Sequence, residues 1–356
     1  MTEADPRPGR TASAAATSID PSRPIRVAVL GFWHVHAADY ARQAKRRDGT
    51  ELVGIWDDDP VRGRAAAETL GTTWTDDLDA LLSRTDVDAV TVTTETSIHR
   101  DVIVRAARAG KHVFSEKLLA PTVAEAEEIL AVADGEGVKA VVSLPRLAAG
   151  YTDAVSDVIA GGRLGRITHG RVRLSHDGAV PRDGGQGWLP ERFFEPASAV
   201  GGALTDLGCH PVYLIQRFLG PTPETISATY RSVTDRKVED QAVVSVGYPN
   251  GAIGVIEASF VGRTPFSIEI SGTDGALRYV DDGSGLVVSN RSAGADAVEA
   301  LPVPADRPDP FDQWVGHIRS NTRADDNLSR AVELTRLVVA SNRAAREGRT
   351  ITYLEG

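Results

Sequence analysis

Ile25-Arg26-Val27-Ala28-Val29-Leu30-Gly31 is the stretch on which the fold turns. It is short, rich in β-branched and aliphatic side chains and closed by a glycine, which reads as a strand buried on both faces. A helix over Ala37 to Arg47 follows, then a second strand from Glu51 to Trp56 that runs into Asp57-Asp58-Asp59-Pro60. Pro60 suits the first turn of a helix, and the preceding carboxylates complement its positive end. Outward from there the pattern repeats. Helices over 60–70, 76–83, 98–109 and 122–134 alternate with strands at Ala89 to Thr93, His112 to Phe114 and Lys139 to Ser143. Such alternation predicts an α/β architecture: a doubly wound parallel sheet, the Rossmann dinucleotide-binding arrangement, over 24–145.

After Pro145 the pattern changes. A helix near 151–161 and a strand near 166–175 lead into a Gly- and Pro-rich loop over 177–190, and another helix covers 205–218. Glu224 to Asn290 reads as several strands without a long helix. Pro249-Asn250-Gly251, Thr273-Asp274-Gly275 and Asp282-Gly283 supply the hairpin turns, since Asn, Asp and Gly tolerate positive φ. Alternation in Gln241 to Val246 and Ile253 to Ala258 fits antiparallel strands covered on one face. An amphipathic helix over 326–346 ends the pattern. Residues 146–356 are therefore expected to form an α+β domain with a mainly antiparallel sheet. Residues 1–23, rich in Ala, Ser, Thr, Pro and Arg and lacking an apolar run, are expected to be a disordered tail rather than a secretory signal.

Composition excludes several classes of function. A net charge of −10 over 356 residues argues against a nucleic-acid binder, which needs a basic face to displace counterions. No apolar run approaches the length of a membrane span. Cys209 is the single cysteine, so an intrachain disulfide and a Cys-rich zinc site are excluded. These features predict a cytoplasmic globular protein.

In open α/β sheets, ligands sit beyond the carboxyl ends of the strands where strand order reverses. Four points of the sequence fall on such ends: Gly31-Phe32-Trp33-His34, Trp56-Asp57, Thr93 to His99, and Ser115-Glu116-Lys117. Asp57 stands where a carboxylate grips an adenosine ribose, although a residue so placed is more often an ordinary strand-end turn residue. The G-x-G-x-x-G fingerprint is broken, with Trp33 and His36 at the second and third glycine positions. Lys117 lies just past a buried strand, where desolvation lowers an ammonium pKa and suits it to proton chemistry. A surface lysine paired with Glu116 fits the same residues. Further on, Asp206 and His210 stand four apart after Gly201-Gly202. On a helical turn they share one face, so the carboxylate can orient the imidazole as a general base, although a structural pair or helix cap has the same spacing.

Taken in order, these motifs resemble the glucose–fructose oxidoreductase/inositol dehydrogenase (Gfo/Idh/MocA) family, from about Ile25 to the C-terminal helix. Ala109 to Lys117 is similar to the family's A-G-K-H-V-x-x-E-K-P motif, with Leu118 replacing proline. Thr94 to His99 is similar to T-P-N-x-x-H without its proline and asparagine, and Gly202 to His210 to G-G-x-x-x-D-x-G-x-H. The resemblance implies hydride transfer between a nicotinamide and a carbon of a sugar, inositol or related polyol, and the carboxylates Asp57, Asp58 and Asp59, which would repel a 2′-phosphate, predict NAD rather than NADP. It implies Lys117, Asp206 and His210 as catalytic and substrate-binding residues. Gly31, Phe32, Trp33, His34, Asp57, Thr94, Thr96, His99 and Glu116 would hold the cofactor. Arg146 and Trp188 fall where substrate contacts or packing residues belong. The second domain's open sheet would pair subunits into a homodimer or homotetramer.

The departures raise two rival readings. One is a sugar-sensing or regulatory protein of the same fold with little turnover, against which the retained Lys117, Asp206 and His210 argue. The other makes His34-x-His36 a metal pair in a metal-dependent hydrolase or isomerase barrel. The later strands do not continue the eightfold βα pattern such a barrel needs, so no metal is expected.

Overall fold

The computed structural model of the protein describes residues 19–182, 185–290 and 298–354. The expectation of a disordered tail falls on residues that, up to 18, lie outside these. The first half alternates as β1 (Ile25–Leu30), α1 (Ala37–Arg46), β2 (Thr50–Trp56), α2 (Pro60–Leu70), β3 (Trp74–Thr75), α3 (Leu78–Ser83), β4 (Ala89–Val92), α4 (His99–Arg108), β5 (His112–Ser115), α5 (Val123–Gly135) and β6 (Ala140–Val142). Local chemistry sets the boundaries. Asp59 caps α2 by accepting from the Val61 and Arg62 N–H groups, with Pro60 at the first helical position. Thr122 and Glu125 form a capping box on α5.

These strands make a parallel sheet in the order β3-β2-β1-β4-β5-β6. Strand order reverses between β1 and β4, which places the ligand crevice at Gly31 and Thr93. β1, β4 and β5 are buried almost throughout because helices cover both faces.

The second half continues with α6 (Gly150–Ala160), β7 (Ile167–Ser175), α7 (Pro196–Ala199) and α8 (Cys209–Leu219). Next come β8 (Thr225–Arg231), β9 (Gln241–Gly247), β10 (Ile253–Ser259), β11 (Ser267–Gly272), β12 (Gly275–Val280), β13 (Gly285–Asn290) and β14 (Val298–Leu301). α9 (Pro310–Ser320), α10 (Asp325–Glu347) and β15 (Ile351–Thr352) close the chain. Nine strands form one sheet, β14-β13-β12-β11-β7-β10-β9-β8-β15, antiparallel except where β7 meets β10. Burial alternates along β9 and β10. α8 covers the buried face so closely that a Cβ at Gly170 would lie 2.6 Å from Leu219.

Two features depart from the sequence reading. The helix expected from 205 begins at Cys209, and 203–208 is a series of turns. α9 carries no expected helical pattern, yet it and α10 return to the first sheet. Trp314 Nε1 donates to the Lys139 carbonyl, and the Asn327 side-chain amide pairs with both the N–H and the C=O of Val142 at 2.8 Å. That amide satisfies backbone groups on the β6 edge, which no strand among the described residues partners.

Candidate active site

β1 ends at Gly31, where φ is +86°, a conformation that glycine adopts without steric cost. A Cβ here would stand 2.8 Å from Thr94 Cγ2 and 3.0 Å from the Thr94 backbone. The loop beyond β1 thus lies against the loop beyond β4. Trp33 does not project into the crevice. It is buried and stacks on Phe193 with ring centroids 4.7 Å apart, and His34 lies 5.3 Å from the same ring. Arg192 Nε donates to the Trp33 carbonyl at 2.5 Å. A segment of the second half therefore closes over the nucleotide loop where glycines would leave it open. Arg192 and Phe193 belong to no motif, and only their pairing in space reveals them.

Asp57, read as a ribose grip or a strand-end turn residue, is fully buried with both oxygens engaged. Arg62 grips it bidentately at 2.9 and 2.6 Å, and the N–H groups of Phe32 and Asp59 donate to it at 2.7 and 2.9 Å. The Arg62 guanidinium covers Asp57 and also pairs with the more exposed Asp58 at 2.7 Å.

On the β4 loop, Thr94 and Thr96 are buried, and Thr94 Oγ1 has no hydrogen-bond partner among the described residues. His99 is a buried brace between two loops. Its Nδ1 faces the Leu118 carbonyl at 2.9 Å and its Nε2 the Thr94 carbonyl at 3.2 Å. It thereby ties the β4 loop to the β5 loop. The Lys117–Leu118 peptide is cis, with leucine standing where the resembled motif carries proline.

Past β5, charge concentrates. Glu116 and Lys117 are buried, and the Lys117 ammonium bonds Asp206 Oδ1 at 2.7 Å and the Asp206 carbonyl at 3.0 Å. Burial opposes that charge, but Asp206 and Glu116 outweigh it and hold Lys117 above its usual range. The expected lowering of its pKa is therefore wrong, because desolvation there is overcome by two carboxylates. Burial likewise pushes Glu116 and Asp206 up. Neighbouring His34, His36 and Lys117 outweigh it at Glu116, and Lys117 and His34 outweigh it at Asp206, so both carboxyls lie below the usual range. Tyr40 donates its hydroxyl to Glu116 Oε2 at 2.5 Å and shares a 2.7 Å bond with Ser143.

Asp206 and His210 do not form the expected pair. Asp206 sits in the turns before α8 and is committed to Lys117, with His34 Nε2 at 3.4 Å. His210, in the first turn of α8, is oriented by Tyr213, whose hydroxyl lies 2.7 Å from Nδ1. Burial, reinforced by the charges of Lys117 and Arg146, pushes the His210 pKa well below its ordinary value. The imidazole is neutral and keeps Nε2 for a ligand.

A cavity of about 490 Å³ opens beside this cluster, lined by His36, Tyr40, Glu116, Ser143, His210 and Phe311 among others. Tyr40, Ser143 and Tyr213 went unread because aromatic and hydroxyl residues within helices and strands look like core. Arg146 and Trp188 are not among the cavity's lining residues. Arg146 reaches the Tyr151 hydroxyl at 2.9 Å and lies 4.2 Å over the Phe266 ring, and its N–H donates to the Tyr213 hydroxyl. Trp188 is 54% exposed against His176.

Comparison with known proteins matches both halves of the chain. Residues 25–144 match the oxidoreductase family with an NAD-binding Rossmann fold, and residues 152–278 match the GFO/IDH/MocA C-terminal domain. The chain is 31% identical to a 1,5-anhydro-D-fructose reductase of Ensifer adhaerens over 68% of its own length and 72% of the relative's. It is 28% identical to a D-apiose dehydrogenase of Paraburkholderia graminis over 85% of its length and 83% of the relative's. Among solved structures it resembles GenD2 from gentamicin A biosynthesis, in complex with NAD. There the TM-score is 0.77 at 25% identity, over 94% of this chain and 98% of that one.

Proposed function

This chain belongs to the Gfo/Idh/MocA oxidoreductase family, and from that premise we propose that it moves a hydride between a nicotinamide and a hydroxyl-bearing carbon of a sugar, inositol or related polyol. The observation that carries the reading is a charged lysine, fixed by Asp206, near enough to a cavity-lining histidine to help keep it neutral. In the oxidative direction His210 takes the hydroxyl proton on Nε2, and Tyr213 at Nδ1 holds the ring in place. The C–H electron pair leaves as the C=O bond forms, and the Lys117 ammonium offsets charge that builds on the oxygen. Asp206 keeps Lys117 charged and aimed, so it is a positioning residue in this account.

A bound nicotinamide supplies the two-electron acceptor for the hydride. The residues fit it where the loops after β1 and β4 meet. The cradle at Gly31 excludes a Cβ, and the orphaned Thr94 Oγ1 is a buried hydroxyl awaiting a partner. We take NAD to be preferred over NADP, because Asp57, Asp58 and Asp59 outnumber Arg62 where the ribose would lie. Self-association through the nine-stranded sheet is part of the same reading. It is supported by Val243 and Ile253, apolar residues exposed on that sheet.

Titration with NADH and NADPH, followed by a polyol and sugar panel read at the nicotinamide absorbance, tests the proposal. Binding of NADH tighter than NADPH, and oxidation of at least one polyol, are expected. Failure to bind either dinucleotide would overturn it.

A further inference from the structure

The hydride chemistry routes no proton or hydride through a second set of side chains. His34, His36 and Glu116 each present a potential ligand atom, and these atoms all lie within 4.8 Å of one another. His36 Nδ1 is already 3.5 Å from Glu116 Oε2. Donors around a tetrahedral ion at 2.0–2.2 Å stand roughly 3.3 Å apart, so modest side-chain rotations close the set. Two imidazoles and a carboxylate select a borderline transition ion over Mg²⁺ or Ca²⁺, which favour all-oxygen shells.

The surroundings are those of a supported site. Both ring nitrogens of His34 make long contacts, Nε2 with Asp206 Oδ1 at 3.4 Å and Nδ1 with the His36 N–H at 3.3 Å, so an ion that displaces one leaves the ring held by the other. Tyr40, itself bonded to Ser143, orients Glu116. The Lys117 ammonium is spent on Asp206 at 2.7 Å and stands 3.8 Å from Glu116, which leaves Glu116 the freer carboxylate. His34 and Glu116 are buried, while His36 and Glu116 face the cavity that also exposes His210. These histidines occupy the loop where the resembled fingerprint carries glycines, so the departure at His36 acquires a purpose.

We propose that His34, His36 and Glu116 bind one divalent transition-metal ion whose open coordination position faces the cavity and takes an oxygen of water or of a bound sugar. The site goes beyond the hydride reading, and its test needs no substrate or dinucleotide. Full-length protein is stripped with chelator and titrated with Co²⁺, following the visible ligand-field band, and with Zn²⁺ by calorimetry. One ion per chain is expected. His34→Gln and His36→Gln should each weaken Zn²⁺ binding at least roughly 100-fold, and Tyr40→Phe about 10-fold, the scale of outer-shell losses. His317→Gln, on α9 away from the cluster, should bind like wild type. Circular dichroism confirms that each variant is folded. Absence of the Co²⁺ band in wild type, or unchanged Zn²⁺ affinity in folded His34→Gln or His36→Gln, would overturn the proposal whatever the outcome with dinucleotides.

Discussion

The two ends of the crevice are built on opposite plans. At the reactive end, Glu116, Lys117 and Asp206 form a largely buried network of opposed charges, and Glu116 and the neutral His210 border an open cavity. At the nucleotide-loop end, Asp57 is sealed by Arg62, and Trp33 is sealed by Phe193 and Arg192. Asp57 and Lys117 are both shielded from water, while Asp58 and Asp59 stay exposed, and at the first end Glu116 and His210 line the cavity. Reactivity is thus concentrated at one end, while the other relies on packing where related loops rely on glycine. A buried charge survives only when paired. The pairing that serves catalysis at Lys117 serves closure at Asp57.

The largest effect that sharpens this contrast is on turnover. Lys117→Ala or His210→Ala should lower kcat by roughly 10²–10⁴-fold, the scale of a positioned acid–base or charged group, with dinucleotide affinity largely kept. Steady-state rates and NADH titration check both halves. Near-wild-type turnover in either variant would remove that residue from the reactive end.

Stability at acid pH probes β5, the strand that carries the reactive loop. Burial lowers the His112 pKa to about 4, and its Nδ1 accepts the Lys139 N–H at 2.9 Å. A histidine whose folded pKa is depressed contributes stability that is fully present above its unfolded value near 6.5. That contribution is lost as pH falls toward about 4, with an upper bound on the order of 3 kcal/mol. His112→Gln keeps an acceptor without the titration. Denaturant melts from pH 7 to 4 should therefore fall less steeply for the variant, and parallel slopes would refute the assignment.

At the loop end, Gly31→Ala forces a side chain into positive φ and against Thr94. A loss of roughly 1–3 kcal/mol is expected, read as a lowered urea midpoint. An unchanged midpoint would mean that the two loops do not need their close approach. The smallest effect is expected for Arg62→Ala. Removing that cation uncovers Asp57 and should weaken NADPH relative to NADH by roughly 10-fold, about one surface charge contact. A shift toward NADPH would contradict the charge balance proposed there.

The sequence made most of the parallel sheet legible, because β-branched runs such as Val27 to Leu30 and caps such as Asp59-Pro60 are local signals. It also marked Glu116, Lys117, Asp206 and His210, each held in a motif of fixed spacing. It misread what depends on long-range neighbours. The Lys117 charge is set by Asp206, 89 residues away, and Asp57 is neutralised by a guanidinium that sequence places only on the following helix. The Trp33–Phe193 stack spans the two halves of the chain, and no local pattern encodes it. Helix α9 was missed because Pro310, Gly316 and scattered polar residues blur its period, although Phe311 and Trp314 anchor it in the core.

The central claim is that hydride transfer occurs at the Lys117 and His210 end. Single-turnover mixing of NAD-saturated protein with the polyols and sugars of the panel, followed at the nicotinamide absorbance, tests it most directly. The account predicts reduction of one nicotinamide per chain by a responsive substrate. It also predicts that Lys117→Ala and His210→Ala slow that step by at least roughly 100-fold while NAD stays bound. Hydride transfer at the wild-type rate in both variants, or none in wild type with NAD bound and the whole panel tried, would contradict it.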